Sequence, residues 1–105
     1  MRIRRKFVVI IMIRHVVLWK FKPEERERAK EFIEKLSELK NVISVIVDMK
    51  VGFSTIPSSY FDAVLTLDVR TKEDLERYKN HPEHKKVSAL CKEIRIDRQA
   101  VDIEF

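Results

Sequence analysis

The run IRHVVLWKF, from Ile13 to Phe21, constrains the fold more than any other stretch of the chain. Its side chains are β-branched or aromatic and nearly apolar throughout, which favours an extended strand. A strand with one wet face alternates apolar and polar residues; this one does not, so it calls for cover on both faces.

The following residues supply the first cover. Pro23 stands at the first position of a helix, with Glu24 and Glu25 in the first turn where they favour the helix dipole. Ala29, Phe32, Ile33, Leu36 and Leu39 recur at helical spacing and form one apolar face. The opposite face is a solvated one, charged and laced by Glu24/Arg28 and Glu31/Lys35 at i, i+4. Asn41 closes this helix. From Val42 to Phe53 the period changes to two, with Val45, Val47, Met49, Val51 and Phe53 on one face and Ser44, Asp48 and Lys50 on the other.

After a turn at Pro57-Ser58-Ser59, alternation resumes: Phe61, Ala63, Leu65, Leu67 and Val69 face one way, and Asp62, Thr66, Asp68 and Arg70 the other. Thr71 and Asp74 resemble a capping box, starting a short helix with Leu75 and Tyr78 inside. Asn80-His81-Pro82 breaks it. Pro82 opens another helix with Val87, Leu90, Cys91 and Ile94 as its inner stripe, and Ala100 to Phe105 reads as a closing strand.

Strand, helix, strand, strand, helices, strand is the split βαβ order of an α+β, ferredoxin-like domain with a four-stranded antiparallel sheet. Helices cover one face of such a sheet. The apolar residues of the other face need a partner, and a second copy of the same sheet is the economical one. A homodimer is therefore expected.

Bulk properties narrow the function. With 105 residues the chain is one domain, and its 45% hydrophobic content excludes a disordered body. The net charge of +5 would suggest nucleic acid or an anionic membrane, but Arg2, Arg4, Arg5 and Lys6 supply most of it. Beyond residue 11 there are 18 basic against 17 acidic side chains, so no nucleic-acid partner is expected. Residues 1–11 form an N-terminal extension to a single domain over 12–105. Two readings stand for it: a misassigned start ahead of Met12, or an extra strand. The single Cys91 excludes an intrachain disulfide and reads as a small buried hydrophobe, which with the lack of any membrane-length apolar run points to a cytoplasmic protein without a membrane partner. One glycine, Gly52, leaves no phosphate-binding loop. Charged residues at 37%, with one Gln and two Asn, match heat-adapted composition.

Three stretches carry a family resemblance. Ile13 to Lys22, IRHVVLWKFK, resembles the opening strand of the stress-responsive dimeric α/β-barrel (Dabb) domains. Tyr78-Lys79-Asn80-His81-Pro82-Glu83-His84 resembles their Y-x-x-H-P-x-H segment, and DRQAVDIEF their last strand. The resemblance spans residues 12–105. It implies a homodimer whose two sheets form a shared barrel with the helices outside. The family includes stress-associated proteins without a defined reaction and a plant polyketide cyclase that performs an aldol closure without cofactor or metal. The working histidine and tyrosine of that cyclase match His84 and Tyr78, and its strand-one pocket histidine matches His15.

Those residue types suit proton transfer. A histidine titrates near neutral pH and can take a carbon-bound proton, while a tyrosine hydroxyl can donate to the resulting enolate oxygen. His84, Tyr78 and His15 are the candidate catalytic residues; Trp19, Phe21 and His81 are the candidate substrate contacts. His81 also reads as a helix cap before Pro82. The spacing His81-x-x-His84 could hold a metal with His15 as third ligand, but it lacks a thiolate and is broken by the proline turn, so neither metal nor cofactor is expected. Two functions remain open: a domain binding a small hydrophobic or oxo-containing molecule, with cyclase- or isomerase-like chemistry, and a non-enzymatic stress protein whose role is assembly.

Overall fold

A computed structural model of the protein describes residues 11–105. Both readings of the N-terminal extension, residues 1–11, lie outside the described residues but for Ile11.

Strand β1 (Ile13–Phe21) buries Ile13, His15, Val17, Trp19 and Phe21 and leaves the alternate residues half-buried. Strands β2 (Asp48–Phe53), β3 (Ala63–Val69) and β4 (Arg95–Glu104) complete a sheet of order β2-β3-β1-β4, every neighbouring pair antiparallel. Helix α1 (Arg26–Glu38) follows a 3-10 turn at Pro23–Glu25 and continues into another at Leu39–Asn41. Helices α2 (Lys72–Asn80) and α3 (Pro82–Ile94) complete the layer that covers one sheet face.

Residue types account for these choices. The Thr71 hydroxyl accepts the Asp74 N–H at 3.0 Å and starts α2, as the capping-box reading predicts. Phe32 from α1 locks the layers together, its ring edge-on to Trp19 at 5.1 Å and to Phe21 at 5.9 Å.

Two expected elements differ. The second strand begins at Asp48 rather than Val42. Leu39, Ile43 and Ile46 are all buried, so spacing of three to four still governs this stretch and fixes it as a turn beneath α1. The last strand begins at Arg95 rather than Ala100. Its first half is charged, which hides the pattern, yet β1 offers an unpaired backbone along its full length, and the ladder runs from Phe21↔Arg95 to Ile13↔Glu104. Reciprocal bonds between Met12 and Phe105 extend it by one pair.

The chain alone covers β1 on one face only. On the other, cross-strand register sets Val16 opposite Val101 and Thr66, and Leu18 opposite Val64 and Gln99. Ile103 and Val101 are 47% and 57% exposed there. Arg14 crosses this face to bind Asp68 through two bonds, at 2.7 and 2.9 Å, with its guanidinium 4.5 Å from the centre of the Phe105 ring.

Candidate functional site

The pleat of β1 sends His15 and Trp19 to the helix side, two positions either side of Val17. Tyr78 lies one turn beyond Leu75 on the inner face of α2 and is 1% exposed. The residue before a proline resists helical geometry, and His81 is extended (φ −63°, ψ 133°), ending α2 and opening α3. The break turns the chain back on itself. His84, in the first turn of α3, donates its Nδ1–H to the Lys79 carbonyl at 3.0 Å and lays its ring 4.4 Å from that of Tyr78, tilted by 49°.

His15, Tyr78, His84 and Trp19 line one cavity of about 60 Å³ between sheet and helices, with Arg95 and Arg98 of β4 also in its lining. That is room for a few atoms, such as the polar end of a ligand. His15 Nδ1–H donates to Asp102 Oδ1 at 2.5 Å across the β1–β4 pair. In each histidine this use of Nδ1 makes Nε2 the acceptor nitrogen.

Burial sets the protonation states. It holds the His15 imidazole below its ordinary range; the Asp102 carboxylate pulls the other way but is 43% exposed and only partly offsets it. Burial also lowers His84, against the Lys79 carbonyl, and the nearby His15, Arg98 and Lys79 push in the same direction as burial. The Tyr78 phenol is pushed well up by burial and stays neutral. Its hydroxyl is buried without a hydrogen-bond partner among the described residues. The cavity thus combines two imidazoles that burial disposes to stay neutral with a phenolic donor that has no acceptor among the described residues.

The other candidates lie elsewhere. His81 is outside this cavity; its Nδ1 accepts the Glu83 N–H at 3.1 Å and caps α3. Phe21 lies beyond Phe32, on the floor of a separate and larger cleft. Cys91 is buried beside the cavity, and burial raises its thiol. Among the described residues no group of three or more His, Cys, Asp and Glu side chains is placed to hold a metal ion, and no helix is long and apolar enough to cross a membrane. The sequence reading does not single out Asp102 or Arg98. The signal was available: period-two alternation from Ala100 puts both on the helix side of β4.

Fold and cavity together define a ferredoxin-like α+β domain with a buried histidine–tyrosine pocket. The Stress responsive A/B Barrel Domain profile matches residues 13–105, and the chain belongs to that family. It is 33% identical to the stress-response A/B barrel domain-containing protein DABB1 of Arabidopsis thaliana, a match covering 87% of this chain and 46% of that protein. The chain therefore spans about half the length of this curated relative. Among solved structures it resembles a dimeric protein of unknown function and ferredoxin-like fold from Bacteroides fragilis, at 29% identity and TM-score 0.83, covering 90% of this chain and 96% of that one. A hydroxynitrile lyase from Passiflora edulis shares the fold at 13% identity and TM-score 0.79, covering 90% and 93%.

Proposed function

We propose that the chain forms a homodimer through its open sheet face, and that the His15–Tyr78–His84 cavity receives the oxo end of a small hydrophobic molecule and moves a proton on it. The observation that carries the reading is the Tyr78 hydroxyl, buried and unpartnered beside a neutral imidazole. A buried polar group left unpaired costs about 1–3 kcal/mol, so a ligand oxygen is its natural complement. In the proposed step His84 Nε2 takes a proton from the carbon next to a carbonyl, and the Tyr78 O–H stabilises the enolate oxygen. His15, fixed by Asp102, offers a second acceptor nitrogen in the same cavity.

The dimer reading rests on Val16, Leu18, Val64, Val101 and Ile103, which share the open face. The similar protein from Bacteroides fragilis is described as dimeric.

The rival reading is a non-enzymatic stress protein whose role is assembly, and the small volume of about 60 Å³ favours it. The test is deuterium uptake from D2O at the α-carbon of a panel of aliphatic ketones, followed by NMR. The proton-transfer reading expects acceleration by the intact protein and a loss of about 100-fold or more of it in His84→Ala. No acceleration with any ketone, in a protein that is dimeric, gives the ground to assembly.

A further inference from the structure

A cleft of about 520 Å³ opens where the end of β1, the start of α1 and the β2–β3 connection meet. Phe32 divides it from the histidine–tyrosine cavity, one side of its ring against Trp19 and another against Phe21. The volume is that of an ordinary small-molecule site.

Its floor and one wall are apolar. Phe21 is buried at the base, with Phe53 edge-on to it at 6.4 Å. Phe53 and Ile56 nevertheless remain 45% and 62% exposed, large apolar side chains facing open space in the cleft.

Its rim is cationic: Lys20, Lys22, Arg26 and Lys30 line it, against one acid, Asp62. Asp62 is held at the cleft by the Phe21 backbone N–H, which its Oδ2 accepts at 2.8 Å, and its charge offsets one of the four cations. Lys20 and Lys22 donate to the backbone carbonyls of Tyr60 and Glu93, bonds that orient the ammonium groups without neutralising them. Lys30 has only a long, exposed contact of 3.4 Å with Glu27, and Arg26 makes no ion pair among the described residues. Elsewhere on α1 the charges pair along the helix, as Lys35 does with Glu31 at 2.8 Å. The cleft therefore carries a net positive charge above an aromatic floor.

We infer that this cleft binds a small amphipathic carboxylate, its hydrocarbon part against Phe21, Phe53 and Ile56 and its carboxylate beside Arg26 and Lys30. The inference does not depend on chemistry at His84. The net positive rim attracts an anion, and a neutral molecule of the same shape gains only the apolar half.

Isothermal titration of the full chain with sodium octanoate, and separately with octan-1-ol, tests it. Octanoate is expected to bind once per chain, and octan-1-ol roughly fivefold or more weakly. Arg26→Gln combined with Lys30→Gln should weaken octanoate about tenfold and leave octan-1-ol unchanged, whereas Phe53→Ser should weaken both. Tyr78→Phe should leave octanoate binding intact. The inference fails if the intact protein binds no octanoate up to millimolar concentration, or binds the acid and the alcohol equally. It also fails if binding survives Arg26→Gln/Lys30→Gln but is lost in Tyr78→Phe, which would place the ligand in the histidine cavity.

Discussion

Replacing Tyr78 by phenylalanine removes one oxygen and nothing else. The ring is 1% exposed and packs 4.4 Å from His84, and those contacts survive the change. The hydroxyl has no partner among the described residues, so folding strips it of water without return. That desolvation costs about 1–3 kcal/mol. The cavity of about 60 Å³ is large enough to admit solvent, which recovers part of the cost and favours the lower end. Tyr78→Phe is therefore expected to stabilise the fold by about 1 kcal/mol, a rise in melting temperature of roughly 4–8 °C for a domain of this size. Calorimetry with the oligomeric mass checked for both proteins measures it. In the ketone assay the same variant should lose acceleration, a trade of stability against activity at one atom. A loss of about 1 kcal/mol or more on substitution would refute the reasoning, because it would mean the hydroxyl is tied into the fold.

Other outcomes follow from the same geometry. Both His15 and His84 have pKa values lowered from 6.5, so below that pH the unfolded chain takes up protons that the fold refuses. Stability should hold above pH 6.5 and fall as the pH drops below it towards the folded values; denaturant titrations at stepped pH show this, and a profile that stays flat below pH 6.5 contradicts the burial argument. Val101→Lys sets a charge in the middle of the open sheet face, where Val101 is paired with Val16. Sedimentation equilibrium should show a shift from dimer to monomer, and an undisturbed dimer would move the interface elsewhere. Phe32→Ala removes the ring that joins Trp19 to Phe21 and should cost about 3–5 kcal/mol, read from chemical denaturation.

Much of this was legible in the sequence because strong local signals agreed with tertiary demand. The apolar run of β1, the Thr71 cap and the Pro82 break each have one backbone solution, and the structure adopts it. The second strand was harder. Residues 42–47 read as alternating, but Ile43 and Ile46 are buried at helical spacing, and short apolar runs fit both periods. The length of β4 depends on the free edge of β1, a partner that local sequence does not reveal.

The site shows the same division. His15 and Trp19 were readable as one face of one strand, and Tyr78 as an inner helix position. That His84 would meet Tyr78 depended on the turn at His81-Pro82, which sequence places but does not aim. Phe21 shares a strand face with Trp19, yet Phe32 stands between the spaces they line, so one sequence pattern serves two cavities. Asp102 escaped notice because its partner, His15, is 87 positions away.

The most direct test of the central chemical claim is NMR of the histidine side chains across pH, read through the ring nitrogens. His84 should be neutral at pH 7, titrate below 6.5 and carry its proton on Nδ1, with Nε2 free to accept. A His84 that is charged at pH 7, or that carries its proton on Nε2, would contradict the account, because its Nε2 could then take no proton from a ligand.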